Sequence, residues 1–391
     1  MTGYLAVTDE RTLTSAGVAV VAKDFVPWDE YAPPSAPLAQ APTAPTINLW
    51  TYGDSWTGPK IGYATVAWPA ATRDLLFLGT LTNRGQAGSR IQNIAVHAQA
   101  PTGAPWTPGT KGIVAVGGLL NQQVEGDTAA NRDTAYASLR ALTARLSSGV
   151  IREDTDPAFT FNGTWDTFTD PMASGGTARS VNPTLAADAT HTATVTVNVP
   201  AGVNYLQLIG MADTVGKGAT FTLHDGADVE VARQRTDAHS VPTLSQGIGE
   251  GARAPVVMRV PGTAGGTFTL KVTTPSGYAG AVLGYVDCLI TLADEPPLVV
   301  LLKPVHVTHP SYQKEALETY LRSLPETMAS EFPNVVTVDP NLGFDNVAML
   351  GPDLLHPFDN GHLHVATAVR DAVNATAIRR ALIQQTPGLV A

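Results

Sequence analysis

The chain has only one cysteine, Cys288, which excludes any disulfide within it. Such a protein either folds in a reducing cytoplasm or is independent of disulfides. Charge is also scarce: 15% of residues are charged, the formal net charge is −10, and no run is rich in Lys or Arg. That balance excludes a phosphate-backbone grip on nucleic acid and favours a neutral or weakly charged partner such as a glycan. No apolar run reaches the length of a membrane span. The first residues lack the basic start of a signal peptide, and acids precede the short apolar run AGVAVVA, so no cleaved leader is expected. A G-x-S-x-G elbow is absent as well, which disfavours the common α/β-hydrolase arrangement.

What the chain does have is length, glycine and proline. Its 391 residues exceed one typical core and predict two or three domains. With 36 Gly and 29 Pro, many turns and strands are expected rather than a helical bundle. Residues 1–46 read as an N-terminal attachment segment that ends in the Pro/Ala-rich linker VPWDEYAPPSAPLAQAPTAPT.

From residue 47 apolar strands alternate with helical periodicity. INLWTYG (47–53), the apolar run in DLLFLGTLTNRGQAG (74–88) and KGIVAVGGLLN (111–121) read as strands. Between them, Ile91, Ile94, Ala95 and Ala98 share one helical face, and Ala135, Leu139, Leu142 and Leu146 form another stripe. This pattern predicts a parallel sheet covered by helices on both faces, a three-layer α/β/α domain beginning at 47–150. Residues 151–295 change character. HTATVTVNV and GTFTLKVTT alternate strictly, and Gly, Pro and Asp separate short Val/Thr-rich runs at regular intervals. An inserted all-β sandwich, jelly-roll-like and a candidate carbohydrate-binding module, is predicted there. The first pattern returns over 296–391, with PLVVLLKP and NVVTVDP as strands and a closing helix from GHLHVATAV onward.

Four short stretches carry candidate chemistry, all in predicted loops after strands or before the last helix. They are GDS (53–55), NRGQAGS (83–89), VGGLLN (116–121) and DLLHP (353–357). A serine hydroxyl needs a base held by a carboxylate, together with donors aimed at the developing oxyanion. In an open parallel sheet such groups gather at the carboxyl ends of strands. In this order the four stretches resemble the blocks of the SGNH, or GDSL-type, hydrolase superfamily, whose flavodoxin-like fold would cover residues 47–150 and 296–391. The resemblance implies that Ser55 is the nucleophile, His356 its base and Asp353 the residue that orients His356. It further implies an oxyanion hole made by the backbone N–H groups of Ser55 and Gly88 and the side-chain amide of Asn121. The third block departs from the usual Gly-x-Asn, since two leucines separate Gly118 from Asn121.

Around this set, Trp56 reads either as a packing residue or as a platform under a sugar, and His306 and His309 are candidate substrate contacts. Asp54 reads as a structural turn acid. His356, His362 and His364 do not have metal-ligand spacing, so no metal and no cofactor is expected. The expected activity is removal of a small acyl group, acetyl first, from a polysaccharide or cell-wall glycan. A lipase or thioesterase of the same superfamily is an alternative, as is a non-catalytic glycan-binding or structural protein. The N-terminal segment, the linker and the absence of a leader resemble bacteriophage tail proteins. That likeness implies a virion setting, other tail proteins as partners and a homo-oligomer.

Overall fold

The computed structural model describes residues 4–7, 25–27, 47–58, 62–101, 103–169, 173–181, 191–199, 205–211, 220–235, 253–259, 265–273, 285–286, 288–293 and 295–376. Two compact units are present, Thr46–Gln384 and a smaller one of Met1–Pro45 with Gln385–Ala391. In the smaller unit the strands Tyr4–Val7 and Phe25–Pro27 pair antiparallel. The rest of the expected linker, 28–46, lies outside the described residues.

The larger unit is built on a five-stranded parallel sheet. Its strands in chain order are β1 (Leu49–Gly53), β2 (Leu81–Gly85), β3 (Ile113–Gly117), β4 (Leu298–Leu302) and β5 (Val335–Val338), arranged in space as β5-β4-β3-β1-β2. The helices are α1 (Trp68–Leu75), α2 (Ile91–Gln99), α3 (Ala129–Leu146), α4 (Glu315–Glu331), the short α5 (Asn346–Met349) and α6 (Asp359–Ala375). Side chains alternate across each strand and so feed two separate cores. Val114, Val116, Val299 and Leu301 meet Ile94 of α2, Leu139 of α3 and Leu321 of α4 on one face. Ile113, Ala115, Leu298 and Val300 meet Trp68 of α1 and Val369 of α6 on the other. The central strands β3 and β4 are therefore apolar on both faces, as a sheet covered on both sides requires.

One predicted strand is misplaced. The apolar run after Asp74 does not form a strand: Asp74 and Leu75 end α1, whose first turn carries Pro69, and Leu76 caps it. The strand follows as LTNRG, residues 81–85. It is the edge of the sheet, so it pairs on one side only and tolerates the polar residues that hid it.

Between Ser148 and Leu292 every strand pairing is antiparallel among the described residues. A five-stranded sheet runs Glu230–Arg235, Thr220–His224, Gly266–Thr273, Thr192–Val199, Phe159–Asn162, and a four-stranded one runs Arg253–Arg259, Tyr205–Met211, Cys288–Leu292, Ser148–Glu153. In the first, Ala193, Val195 and Val197 stand opposite Val272, Leu270 and Phe268, all buried, while the intervening threonines face outward. The two ends of this region meet: Ser148 pairs with Leu292, and the Ala293 N–H donates to the Ser147 carbonyl at 3.0 Å. The chain thus leaves α3 and re-enters at β4 from neighbouring points. β4 then lies directly beside β3, with Val299 opposite Val114.

Candidate active site

Three strands end level at glycine: Gly53 of β1 stands beside Gly85 of β2 and Gly117 of β3. The GDS turn folds back onto this floor. The Thr57 and Gly58 N–H groups donate to the Asp54 carbonyl at 3.1 and 3.0 Å, while the Asp54 N–H and the Thr57 hydroxyl both donate to the Gly117 carbonyl at 3.2 Å. A Cβ on Gly53 would lie 2.0 Å from Thr57 Oγ1 and 2.5 Å from the Gly117 oxygen, so only glycine permits this descent. Asn83 locks the turn from the other side. Its Nδ2 donates to the Thr57 carbonyl at 2.7 Å, and its Oδ1 accepts from the Gly85 N–H at 2.9 Å and the Thr51 hydroxyl at 3.1 Å.

This turn holds Ser55, 8% exposed, with Oγ 3.0 Å from Nε2 of His356. His356 Nδ1 lies 2.6 Å from Asp353 Oδ2. The Asp353–His356 spacing works because one carboxylate serves both backbone and ring. Asp353 Oδ1 accepts the N–H groups of Leu355 and His356 at 3.1 and 2.9 Å, which closes a tight turn and leaves Oδ2 facing the imidazole. Burial raises the Asp353 carboxyl, but the hydrogen bonds from the His356 ring and from the His356 and Leu355 N–H groups outweigh it and hold the pKa below the usual range. Asp353 is therefore an anion against the ring, which fixes the proton on Nδ1 and leaves Nε2 as the acceptor facing Ser55. Leu354 takes a left-handed conformation, φ 57°, to complete the turn, and its carbonyl accepts the His309 N–H at 3.1 Å.

Trp56 is 5% exposed, so of its two readings the packing one holds and the sugar platform is withdrawn. Its ring lies edge-on to His362 at 6.2 Å and tilted against Phe344 at 6.0 Å. Its Nε1 donates to the Leu355 carbonyl at 3.1 Å. Asp54 is buried beneath the turn and accepts the Trp56 N–H at 3.0 Å. Burial pushes its carboxyl up to about 7, against the pull of the Trp56 N–H. It lines a cavity of about 30 Å³ with Gly117, Gly118, Lys303 and Val305, room for roughly one water.

Gly88 takes φ 71° in an exposed loop, with nothing within 4 Å of where a Cβ would stand. That loop is joined to β1 by the Gln86 N–H donating to the Gly53 carbonyl at 2.8 Å. Asn121 is not at the strand end: the extra residues carry it into a 3₁₀ turn, Leu120–Glu125. There its Nδ2 donates to the Ser89 carbonyl at 3.0 Å and its Oδ1 accepts the Tyr312 hydroxyl at 2.9 Å.

The two other candidate histidines part company. His309 stands beside the Asp353–His356 turn through its bond to Leu354, and its Nδ1 accepts the Ser311 N–H at 3.2 Å. His306 is instead paired with Glu318 at 2.9 Å, its N–H donating to Asn341, and does not join the trio. The remaining histidines of the last block are structural. His362 is buried and accepts the Trp68 N–H on Nδ1 at 3.2 Å, and burial lowers its pKa to about 4. His364 Nε2 donates to the Pro340 carbonyl at 2.9 Å. Among the described residues no group of three His, Cys, Asp or Glu side chains could hold a metal ion. No described helix is long and apolar enough to cross a membrane.

Thr57, Asn83 and Tyr312 escaped notice as site residues. Asn83 opens the second block and Thr57 follows the first, so position was a signal for both. Tyr312 stands at the start of the helically patterned stretch SYQKEALETYLRSLPETMASEF, but the helix begins only at Glu315 and Tyr312 falls in the 3₁₀ turn before it, so nothing in the sequence points to it.

No protein-family model matches the chain, and no curated protein matches it. Solved structures do. A family 35 carbohydrate-binding module from Clostridium thermocellum is 17% identical, with a TM-score of 0.26, over 37% of this chain and 98% of that one. The C-terminal family 6 module of a marine laminarinase from Zobellia galactanivorans is 14% identical, with a TM-score of 0.24, over 37% of this chain and 98% of that one. An exo-β-1,3-galactanase from Phanerochaete chrysosporium, solved with β-1,3-galactotriose, is 16% identical, with a TM-score of 0.24, over 37% of this chain and 29% of that one. At these TM-scores the likenesses assign neither an activity nor a ligand to this chain.

Proposed function

We propose that the chain is a serine ester hydrolase of the SGNH type that removes a small acyl group, acetyl first, from a polysaccharide. The observation that carries this reading is the aligned trio Ser55 Oγ–His356 Nε2 at 3.0 Å and His356 Nδ1–Asp353 Oδ2 at 2.6 Å. In the proposed reaction, Ser55 Oγ attacks the ester carbonyl while His356 Nε2 takes its proton and Asp353 stabilises the imidazolium. The oxyanion is met by the N–H groups of Ser55 and Gly88 and by the Asn121 amide. His356 then protonates the departing sugar oxygen. Water, activated by the same imidazole, attacks the acyl-Ser55 carbonyl and releases the carboxylic acid.

A glycan is the proposed substrate class because the low, acidic charge offers no grip for phosphate polymers. A virion setting with tail-protein partners and self-association belongs to the same proposal. A second reading is a non-catalytic glycan-binding protein on a hydrolase-like frame. The observation on its side is the irregular third block, which puts Asn121 in a 3₁₀ turn and not at the end of β3.

Hydrolysis of p-nitrophenyl acetate by the wild type and by Ser55→Ala separates the two. The esterase reading expects turnover that falls at least about 10³-fold in Ser55→Ala. A folded wild type without turnover, or a mutant equal to it, sinks that reading. A series of acyl esters of rising length tests the acyl group, and preference for long chains points to a lipase instead.

A further inference from the structure

The Asn121 amide cannot be reversed without loss. With Nδ2 on the Ser89 carbonyl and Oδ1 on the Tyr312 hydroxyl, both ends are satisfied. Turned over, Oδ1 would face the Ser89 oxygen, acceptor against acceptor. The side chain is buried, where an unpaired polar end is costly. Nδ2 carries two N–H groups, and Ser89 takes one of them, so a second donor remains for a substrate oxygen.

Tyr312 is itself held in place. It ends the 3₁₀ turn Pro310–Tyr312, which His309 caps through its Nδ1, and the two rings meet edge-on at 5.6 Å. His309 is tied by its N–H to Leu354, between Asp353 and His356. One connected path thus runs from the base turn through His309 and Tyr312 to Asn121 and Ser89. Burial, and then the nearby Asp54 carboxylate, raise the Tyr312 pKa, so the phenol keeps the proton it donates.

Because the two extra leucines remove Asn121 from the strand end, the strand no longer aims its side chain. We propose that Tyr312 is a positioning residue that fixes the Asn121 amide with its spare N–H available to the oxyanion. This role rests on the esterase reading.

The test is a double-mutant cycle in acetate-ester hydrolysis with wild type, Tyr312→Phe, Asn121→Ala and the double variant. Asn121→Ala is expected to lower kcat about 100-fold, as loss of one oxyanion donor does. Tyr312→Phe should lower kcat about tenfold with KM within about twofold, and it should change nothing further on the Asn121→Ala background. A merely structural tyrosine would add its loss on both backgrounds. Multiplicative effects, or an unchanged kcat in Tyr312→Phe, overturn the proposal while leaving the esterase reading intact. Absence of turnover by the folded wild type overturns the esterase reading and this role with it. Asn121→Ser replaces Asn121→Ala if the latter does not fold.

Discussion

The indole N–H of Trp56 donates to the carbonyl of Leu355, 299 residues further along the chain. Ser55 precedes the donor and His356 follows the acceptor, so this bond ties a side chain of the Ser55 turn to the backbone of the Asp353–His356 turn. Trp56→Phe keeps the ring and removes the bond. Its expected effect is a kcat about tenfold lower with the fold retained, since small misplacements of a catalytic pair are costly. Trp56→Ala also empties a buried site and should cost about 3–5 kcal/mol, measured by denaturant unfolding.

Asp353→Asn preserves shape and removes charge. The amide can still accept the two backbone N–H groups on Oδ1, but its Nδ2 would face the imidazole and favour the wrong tautomer. An activity loss of about 10³–10⁴-fold with little change in melting temperature is expected, by analogy with serine-protease triads. Steady-state kinetics paired with thermal unfolding checks both halves.

Asp54 links stability to pH through burial. Its carboxyl stands at about 7 in the folded chain, against an ordinary value near 3.8. Below the lower value both folded and unfolded states are protonated, and nothing is lost. Between the two values only the unfolded state gives up the proton, so stability falls by up to about 1.4 kcal/mol per pH unit. Above about 7 the penalty is complete and levels off. Asp54→Asn should flatten this slope, gaining stability over wild type at pH 8 and little at pH 4. Equal slopes for the two proteins in a series of unfolding curves would contradict it.

Gly53→Ala places a methyl where Thr57 Oγ1 and the Gly117 oxygen already lie. The turn must lift, at a cost on the order of 3 kcal/mol. Thr57→Ala removes the Oγ1 clash but leaves the residue-57 Cβ at 2.7 Å and the Gly117 oxygen at 2.5 Å, so Gly53→Ala with Thr57→Ala is expected to recover only part of the loss. Thermal unfolding of the three variants measures this.

Much of the parallel sheet was legible because β3 and β4 are buried on both faces and read as unbroken apolar runs, and β1 opens on Leu49 and Trp50. Strand β2 was not, because an edge strand that also carries Asn83 has a polar sequence. The Asp353–His356 pair was legible only through the resemblance of DLLHP to the last SGNH block; the backbone N–H groups that close its turn leave no mark in the sequence. Its meeting with Ser55 followed from topology, since loops at the carboxyl ends of parallel strands share a rim. Burial of Trp56 was open, because an indole serves equally as core or as platform until its neighbours are known. Tyr312 was invisible: an exact aim at one amide oxygen leaves no periodic trace.

The antiparallel pairing of Ser148–Glu153 with Cys288–Leu292 shortens a long detour to a single closed loop. During synthesis Ser55 emerges early, with no imidazole to accept its proton. β4, which pairs with β3, is made only after both strands of that loop, and His356 comes later still. Contacts between residues so distant in sequence form slowly. Under the esterase proposal, the nascent chain carries Ser55 without its base until the segment that bears His356 has been made and has met it.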